Sequence, residues 1–331
     1  MSTITVIGSL NYDLVTFTNK VPAGGETYQA NSFENHLGGK GLNEALAAAR
    51  LSSGATHKVR MVGNIGDDSF GKELKQALVD AKVDTEYIKT IKNQSSGVAV
   101  ILVEEESGEN RILITAGANG DLKPTQQEYQ TYFSQVDGDQ YVILQNEYPH
   151  TIESINWIHA NHPKINISYN PSPYKPELIT EKTWAQIDLL IVNEGEALDV
   201  AANLLSSKES DEFKTTIEND KVKGFSQLAG KLQQLINPKN VSTVVITMGS
   251  AGSIYTSKEI EPTFAPSVKV DKVIDTTGAG DTFFGGVVSQ LAAGESLPTA
   301  IKFATIASSI VIQKKGAAES IPTIEDVKKH L

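Results

Sequence analysis

Asp275-Thr-Thr-Gly-Ala-Gly-Asp-Thr-Phe-Phe-Gly285 joins an apolar alternation to a helical stripe. Upstream, Ser267 to Ile274 carries Val268, Val270 and Val273, and this alternation predicts a strand. Downstream, Phe284, Val287, Val288, Leu291 and Ala292 share one face of a helix that stops at Gly294. The glycine turn therefore opens onto a helix N-terminus, where unpaired N–H groups and the helix dipole favour a negative ligand. Small residues at 278 to 280 let phosphate oxygens approach the backbone. A carboxylate beside an anion site is unfavourable unless it has a task. For Asp281 the fitting task is to accept a proton from an attacking alcohol. Taken alone, Asp281 also reads as a helix N-cap.

A second glycine cluster, Gly38-Gly-Lys-Gly-Leu-Asn-Glu-Ala45, opens another helix, with Leu42, Ala45, Leu46 and Ala49 on one face. Its glycines bring backbone close to a ligand, and Lys40 and Asn43 add donors suited to a polyhydroxylated molecule. Further upstream, Ile4-Thr-Val-Ile-Gly-Ser-Leu-Asn-Tyr-Asp13 ends a first strand with Asn11 and Asp13 two residues apart. In extended chain that spacing puts an amide and a carboxylate on one face, able to chelate vicinal hydroxyls. An Asx turn is the local alternative. Glu147 follows Val142-Ile-Leu-Gln-Asn and lies just past the C-terminal end of another predicted strand, where ligands gather in open α/β sheets.

The 331 residues suffice for one large α/β domain or two smaller ones, and 40% hydrophobic with 21% charged residues fits a globular enzyme. A net charge of −11 argues against nucleic acid or an anionic membrane as main partner, though not against ATP in a local positive pocket. With no cysteine, disulfide scaffolds, thiolate metal sites and cysteine catalysis are excluded. The first residues enter a strand without a signal-peptide pattern, and no segment has membrane-spanning character. The expected location is cytoplasmic, with the nucleus as an alternative that no basic tract supports.

Short apolar runs at Ile4–Ile7, Arg60–Val62, Tyr141–Leu144, Ile165–Ser168, Leu189–Val192 and Val244–Ile246 read as buried strands. Candidate helices at Gly71–Ala81, Ile152–Asn161 and Phe225–Ile236 lie between them. The repeated order predicts a doubly wound, mainly parallel sheet flanked by helices. Residues 11–37 and 97–116 break the rhythm; the second reads as a hairpin turning at Ser107-Gly108. Together they predict a small projecting sheet. The charge-rich stretch from Ser206 to Lys223 reads as a solvated insertion, helical in part.

The two glycine elements, GGKGLN and DTTGAGD, resemble the signatures of the ribokinase-like (pfkB-type) family of carbohydrate kinases. The resemblance runs from Ile4 to about Pro322 and looks closest to the ribokinase branch, its eukaryotic members in particular. It implies one ribokinase-like domain over 1–331, with the small sheet as a lid and as a homodimer surface. It implies sugar contacts at Asn11, Asp13, Gly39, Lys40, Asn43 and Glu147, with Asp281 as base and Gly278, Ala279 and Gly280 as an anion hole. Asn193 and Glu196 match the family's Asn-x-x-Glu element, which organises Mg2+ largely through water. Thr247, Gly249, Ser250 and Gly252 match its TxGxxG nucleotide loop, with Gly280 also facing the nucleotide. A K+ site is implied at Asp275, Thr277, Val311, Lys314, Gly316 and Ser320.

Two positions depart from the family pattern. Thr305 stands where bacterial ribokinases have an adenine-contacting histidine. Glu44 stands where glutamine is usual; a small effect is expected because it lies beyond the expected contacts, although it adds a charge near the site. The implied reaction is ATP-dependent phosphorylation of D-ribose at O5. Fructokinase, 2-keto-3-deoxygluconate kinase and nucleoside kinase are the alternatives within the family, and a catalytically silent sugar sensor is the alternative outside catalysis. No Walker A motif occurs, and the first strand is not followed by GxGxxG, so a dehydrogenase loses its main support.

Overall fold

The computed structural model describes residues 1–54, 56–107, 109–134, 138–237 and 242–331. Its strands are β1 (Ser2–Ile7), β2 (Asn11–Thr18), β3 (Ser32–Gly38), β4 (His57–Gly66), β5 (Ile88–Ile91), β6 (Gly97–Glu104), β7 (Asn110–Thr115), β8 (Gln140–Gln145), β9 (Asn166–Asn170), β10 (Leu189–Asn193), β11 (Thr243–Thr247), β12 (Gly252–Ser257) and β13 (Thr263–Pro266). Its helices are α1 (Lys40–Arg50), α2 (Ser69–Asp80), α3 (Gln126–Tyr132), α4 (Thr151–Asn161), α5 (Glu181–Trp184), α6 (Glu194–Leu204), α7 (Ser207–Asn219), α8 (Lys221–Leu235), α9 (Ala279–Ala292), α10 (Leu297–Val311) and α11 (Ile324–Lys328).

Nine strands form one sheet in the order β13-β12-β11-β10-β9-β8-β1-β4-β5, parallel from β11 to β5 and antiparallel at the β12–β13 end. The alternation of apolar residues explains its two covered faces. Ile4, Val6, Ile143, Ile191 and Val245 turn into one core with α1, α2, α9 and α10. Ile7, Val142, Leu144, Leu190, Val192, Val244 and Ile246 turn into the other with α3, α4, α6 and α8. Each strand thus serves two cores at period two, as a buried parallel sheet requires. The chain runs outward from β1 through β4 and β5, then returns to β8 on the other flank of β1. That reversal creates a crevice at the C-terminal ends of β1 and β8.

The predicted projecting sheet is present as β3-β2-β6-β7. The β6–β7 hairpin is antiparallel, and Gly108 of its expected turn lies outside the described residues. Asn11 and Asp13 share a face with Ala99 and Ile101 of β6 and with Ile112 and Ile114 of β7. The expected solvated insertion from Ser206 is a full helix, α7, capped by Ser206 with Glu209 answering in a capping box.

One expectation fails. Ser267 to Ile274 is not a strand; β13 ends at Pro266 and the segment is irregular. Three of its four apolar side chains are exposed: Val268 41%, Val273 54% and Ile274 47%, with Val270 half-buried. Alternation without a neighbouring strand to pair with yields extended loop: Ser267 N–H is tied to Ala251 O at one end, and Ile274 and Asp275 N–H to Ile312 O at the other.

Candidate active site

The acceptor side is built where β1, β8, α1 and α9 converge. Gly39 caps α1 at φ 88°, a left-handed value that suits glycine, and a Cβ there would come within 2.8 Å of Asn11 N. Gly41 packs equally hard, since a Cβ would meet the carbonyl carbon of Gly8 at 2.6 Å. This close approach brings the N-terminus of α1 over the end of β1. The Lys40 N–H donates to Glu147 Oε2 at 3.0 Å, and Ser9 Oγ donates to the same oxygen. Glu147 therefore occupies the positive end of α1 and bridges the crevice between β1 and β8.

Asp281 is the third residue of α9, not its cap; the cap is Gly278, at φ 75° and without a side-chain hydrogen bond. The capping alternative is thereby removed. Asn43 Nδ2 donates to Asp281 Oδ2 at 2.8 Å, and Lys40 Nζ lies 3.4 Å from Oδ1. Two residues of the first glycine element thus reach one carboxylate of the second, some 240 positions away. Burial opposes the Lys40 ammonium, but Asp281, Glu147 and Glu44 outweigh it and raise its pKa. Lys40 is held firmly as a cation. Gly278 has no room for a side chain, because a Cβ would sit 2.9 Å from Ala317 Cβ. Gly280, in contrast, faces open space, with no atom within 4 Å of where a Cβ would stand. The turn is tight on its protein side and open on the side a ligand would enter.

Asn11 and Asp13 lie on the lid at the rim of this crevice. Asn11 is buried, and its Oδ1 accepts from Asn119 Nδ2 at 2.8 Å. Asn119 is itself fixed by both backbone groups of Leu10, so it aims the Asn11 amide. Burial, then the neighbouring Glu147 carboxylate, pushes Asp13 up to about 7, with His36 opposing. Asp13 also abuts Gly38, where a Cβ would meet Oδ2 at 2.2 Å.

The residues expected on the nucleotide side gather along the same sheet edge. Asn193 and Thr247 are direct register partners at the ends of β10 and β11. Asn193 caps α6, and Glu196 answers it in a capping box, through Glu196 N to Asn193 Oδ1 at 2.9 Å and Asn193 N to Glu196 Oε2 at 3.0 Å. Asn170 Nδ2 donates to that same Oε2 at 3.0 Å. The Asn-x-x-Glu spacing thus has a structural task in its own right, performed through Glu196 Oε2. Gly249 (φ 53°) and Gly252 (φ 126°) flank the exposed Ser250 in the loop after β11. Thr305 lies on α10, its hydroxyl donating to Ile301 O at 2.8 Å.

Asp275 Oδ1 accepts from Thr277 N and Oγ1 at 2.9 and 2.6 Å, and Oδ2 from Gly316 N at 3.0 Å. Burial opposes its charge, but these bonds outweigh it and lower its pKa. The Gly316 bond ties the 275–277 segment to the turn that follows α10. Among the described residues no group of three His, Cys, Asp or Glu is arranged to hold a metal.

Sequence reasoning misses Ser9, Asn119, Gln145 and Asn170, each of which orients a residue it does name. All four are uncharged polar residues at or just past strand ends or in a tight turn, and that placement is the only local signal they carry.

The model for the pfkB family carbohydrate kinases matches residues 1–324. A Schizosaccharomyces pombe ribokinase is 38% identical over 334 residues, spanning 99% of this chain and 97% of that one. The structure of Cryptococcus neoformans ribokinase in complex with ADP superposes with a TM-score of 0.81 at 30% identity, over 100% of both chains. Arabidopsis thaliana ribokinase complexed with ribose and ATP gives a TM-score of 0.81 at 26% identity, over 98% and 97% of the two chains. A family match over nearly the whole length, beside two glycine elements that converge on one aspartate, leaves a single conclusion: the chain belongs to the pfkB family of carbohydrate kinases.

Proposed function

We propose that this protein transfers the γ-phosphoryl group of ATP to O5 of D-ribose, giving D-ribose 5-phosphate and ADP. The observation that carries the reading is Asp281, held by Lys40 and Asn43 at the open N-terminus of α9. In the reaction the O5 proton passes to Asp281, the bond from O5 to the γ-phosphorus forms, and the bond to the β-phosphate oxygen breaks. N–H groups of Gly278 to Asp281 stabilise charge on the transferring group, and Lys40 adds a fixed cation. With a loose transition state, positioning and electrostatics supply most of the acceleration. Asn11, Asp13 and Glu147 bind the sugar hydroxyls, with Gly39 giving backbone access. Thr247 and the loop Gly249 to Gly252 line the nucleotide side.

Bound Mg2+ would neutralise polyphosphate charge, with Glu196 holding it through water. Bound K+ would steady the anion hole from the side, with Asp275, Thr277 and the carbonyls of Val311, Lys314, Gly316 and Ser320 as its surroundings. Equal turnover in sodium, potassium or neither, at fixed ionic strength, together with unchanged thermal stability, would remove the K+ site. The lid supports a homodimer reading: Phe33, Val100 and Leu113 share one face of it and are 59%, 37% and 68% exposed, an apolar area that a second lid would cover. Sedimentation as a monomer at micromolar concentration would refute it.

The deciding experiment measures ADP release from Mg-ATP with D-ribose, 2-deoxyribose, fructose, 2-keto-3-deoxygluconate and adenosine, potassium present. Preference for ribose is expected. Preference for another acceptor would keep the chemistry and overturn the sugar assignment. Nucleotide binding without turnover on any acceptor would favour the silent sensor.

A further inference from the structure

Directly behind the residues that hold Asp281 lies a buried carboxyl group. Glu44 follows Asn43 on α1 and is 1% exposed. Among the described residues its side-chain hydrogen-bond partner is Gln145, the last residue of β8 and fully buried, whose Nε2 donates to Glu44 Oε2. Gln145 cannot swing away. Its Oε1 is wedged against Gly8, where a Cβ would come within 2.3 Å of it. That same Oε1 is buried and receives no donor among the described residues. A buried amide oxygen without a donor is costly. A carboxylate beside it has no proton to give, whereas a carboxylic acid does, and an acid and a primary amide pair cyclically through two hydrogen bonds.

The charged surroundings favour the same protonation state. Asp281 from α9, Lys40 from its own helix and Glu147 beyond β8 act on Glu44, while β1 and β4 present Ile4, Val6, Val59 and Met61 to the core that α1 shares. Burial first, then Asp281, raises the Glu44 pKa well above the ordinary carboxylate value, with Lys40 opposing. An ionised Glu44 would add an anion to Asp13, Glu147 and Asp281 where a polyphosphate must approach, with Lys40 the cation among them.

We propose that Glu44 is a positioning residue kept as a neutral acid, paired with the Gln145 amide so as to fix α1 against the end of β8 without adding charge beneath Asp281. The pair links the helix that carries Lys40 and Asn43 to the strand that leads to Glu147, and so holds the two walls of the acceptor site in register. Its role at the acceptor site rests on the kinase reading, but its protonation state does not, and the two are tested separately.

The test compares wild type with Glu44→Gln, which preserves a cyclic pair and removes the titrating proton. Unfolding is followed by denaturant between pH 5 and 8. An acid protonated in the fold and ionised in the unfolded chain destabilises the fold as pH rises above 4.5. The wild-type folding constant relative to Glu44→Gln is therefore expected to fall about tenfold per pH unit. A ratio that stays flat across this range overturns the proposal, as does a Glu44 carboxylate band at neutral pH in the infrared difference spectrum of the two proteins. In turnover, Glu44→Gln should keep the acid limb of kcat/KM in place, whereas Glu44→Ala should raise the sugar KM about tenfold, as expected for a misplaced wall. An acid limb shifted downward in Glu44→Gln, or an unaltered sugar KM in Glu44→Ala, refutes the positioning role. If Glu44→Ala does not fold, the stability ratio and the infrared band still decide the protonation state, and the acid limb in Glu44→Gln still tests the role.

Discussion

Replacing Asp13 with asparagine should make the protein more stable and less able to use its sugar. The Asp13 carboxyl lies half-buried, near Glu147 and against Gly38, and its pKa rises from 3.8 to about 7. A group whose folded-state value is raised weakens the fold as pH climbs from the unfolded value toward the folded one. At 1.36 kcal/mol per unit, full ionisation of Asp13 costs roughly 4 kcal/mol. Asp13→Asn is free of this cost, so its advantage should be near that ceiling at pH 8 and fall to under about 2 kcal/mol at pH 5. Denaturant unfolding of both proteins at several pH values reads the difference directly. Ribose binding should move the other way, since sugar hydroxyls donate best to an ionised acceptor. In wild type kcat/KM should rise up to about tenfold per pH unit toward pH 7 and level off above it, and Asp13→Asn should lose that limb. Equal stability of the two proteins at pH 8, or an unchanged acid limb in the variant, would refute the account of Asp13 as a strained acid kept for its ligand.

Asp281→Asn should lower kcat by about 10²–10⁴ with little change in thermal unfolding, on the usual scale for loss of a general base; turnover near wild type sinks that assignment. Lys40→Met removes the cation that faces Asp281 and should cut kcat/KM by at least about tenfold, with the loss appearing in kcat as well as in KM. Gly278→Val forces a β-branched residue to φ 75° and against Ala317. It should cost about 1–3 kcal/mol of stability and most of the activity, as read by urea midpoint and ADP release. Asn119→Ala should raise the sugar KM more than it lowers kcat, because it frees Asn11 without touching the base; an unaltered KM would show that Asn11 needs no such support.

The large sheet is legible because Ile4–Ile7, Val244–Ile246 and their neighbours must satisfy two cores at once, and that demand is written locally as unbroken apolar runs. Ser267–Ile274 shows the limit of the same rule. Alternation reports which side chains share a face, but not whether a strand stands alongside to pair with it. The glycine elements are legible for a different reason: a left-handed φ and a backbone contact below 3 Å at Gly39 exclude nearly every other residue. Contacts between distant positions are not. Nothing near Asp281 tells that Asn43 will donate to it, and nothing near Asn11 points to Asn119. The burial of Glu44 is hidden in the same way. Helical periodicity gives α1 a single apolar face, whereas α9 covers a second side so closely that a Cβ on Gly285 would strike Glu44 O at 2.7 Å.

That last contact bears on synthesis. Helix α1 is covered by α9, which leaves the ribosome more than 200 residues later. Until then the sides of Ala47, Ala48 and Leu51 that meet Gly285 and Gly286 have no partner, and the layer that α1 and α2 begin over β1 is incomplete. A nascent chain halted before residue 279 would expose that seam and hold Lys40 and Asn43 with nothing to grip. Vectorial translation therefore leaves this protein without catalytic function, and prone to association, until α9 has emerged.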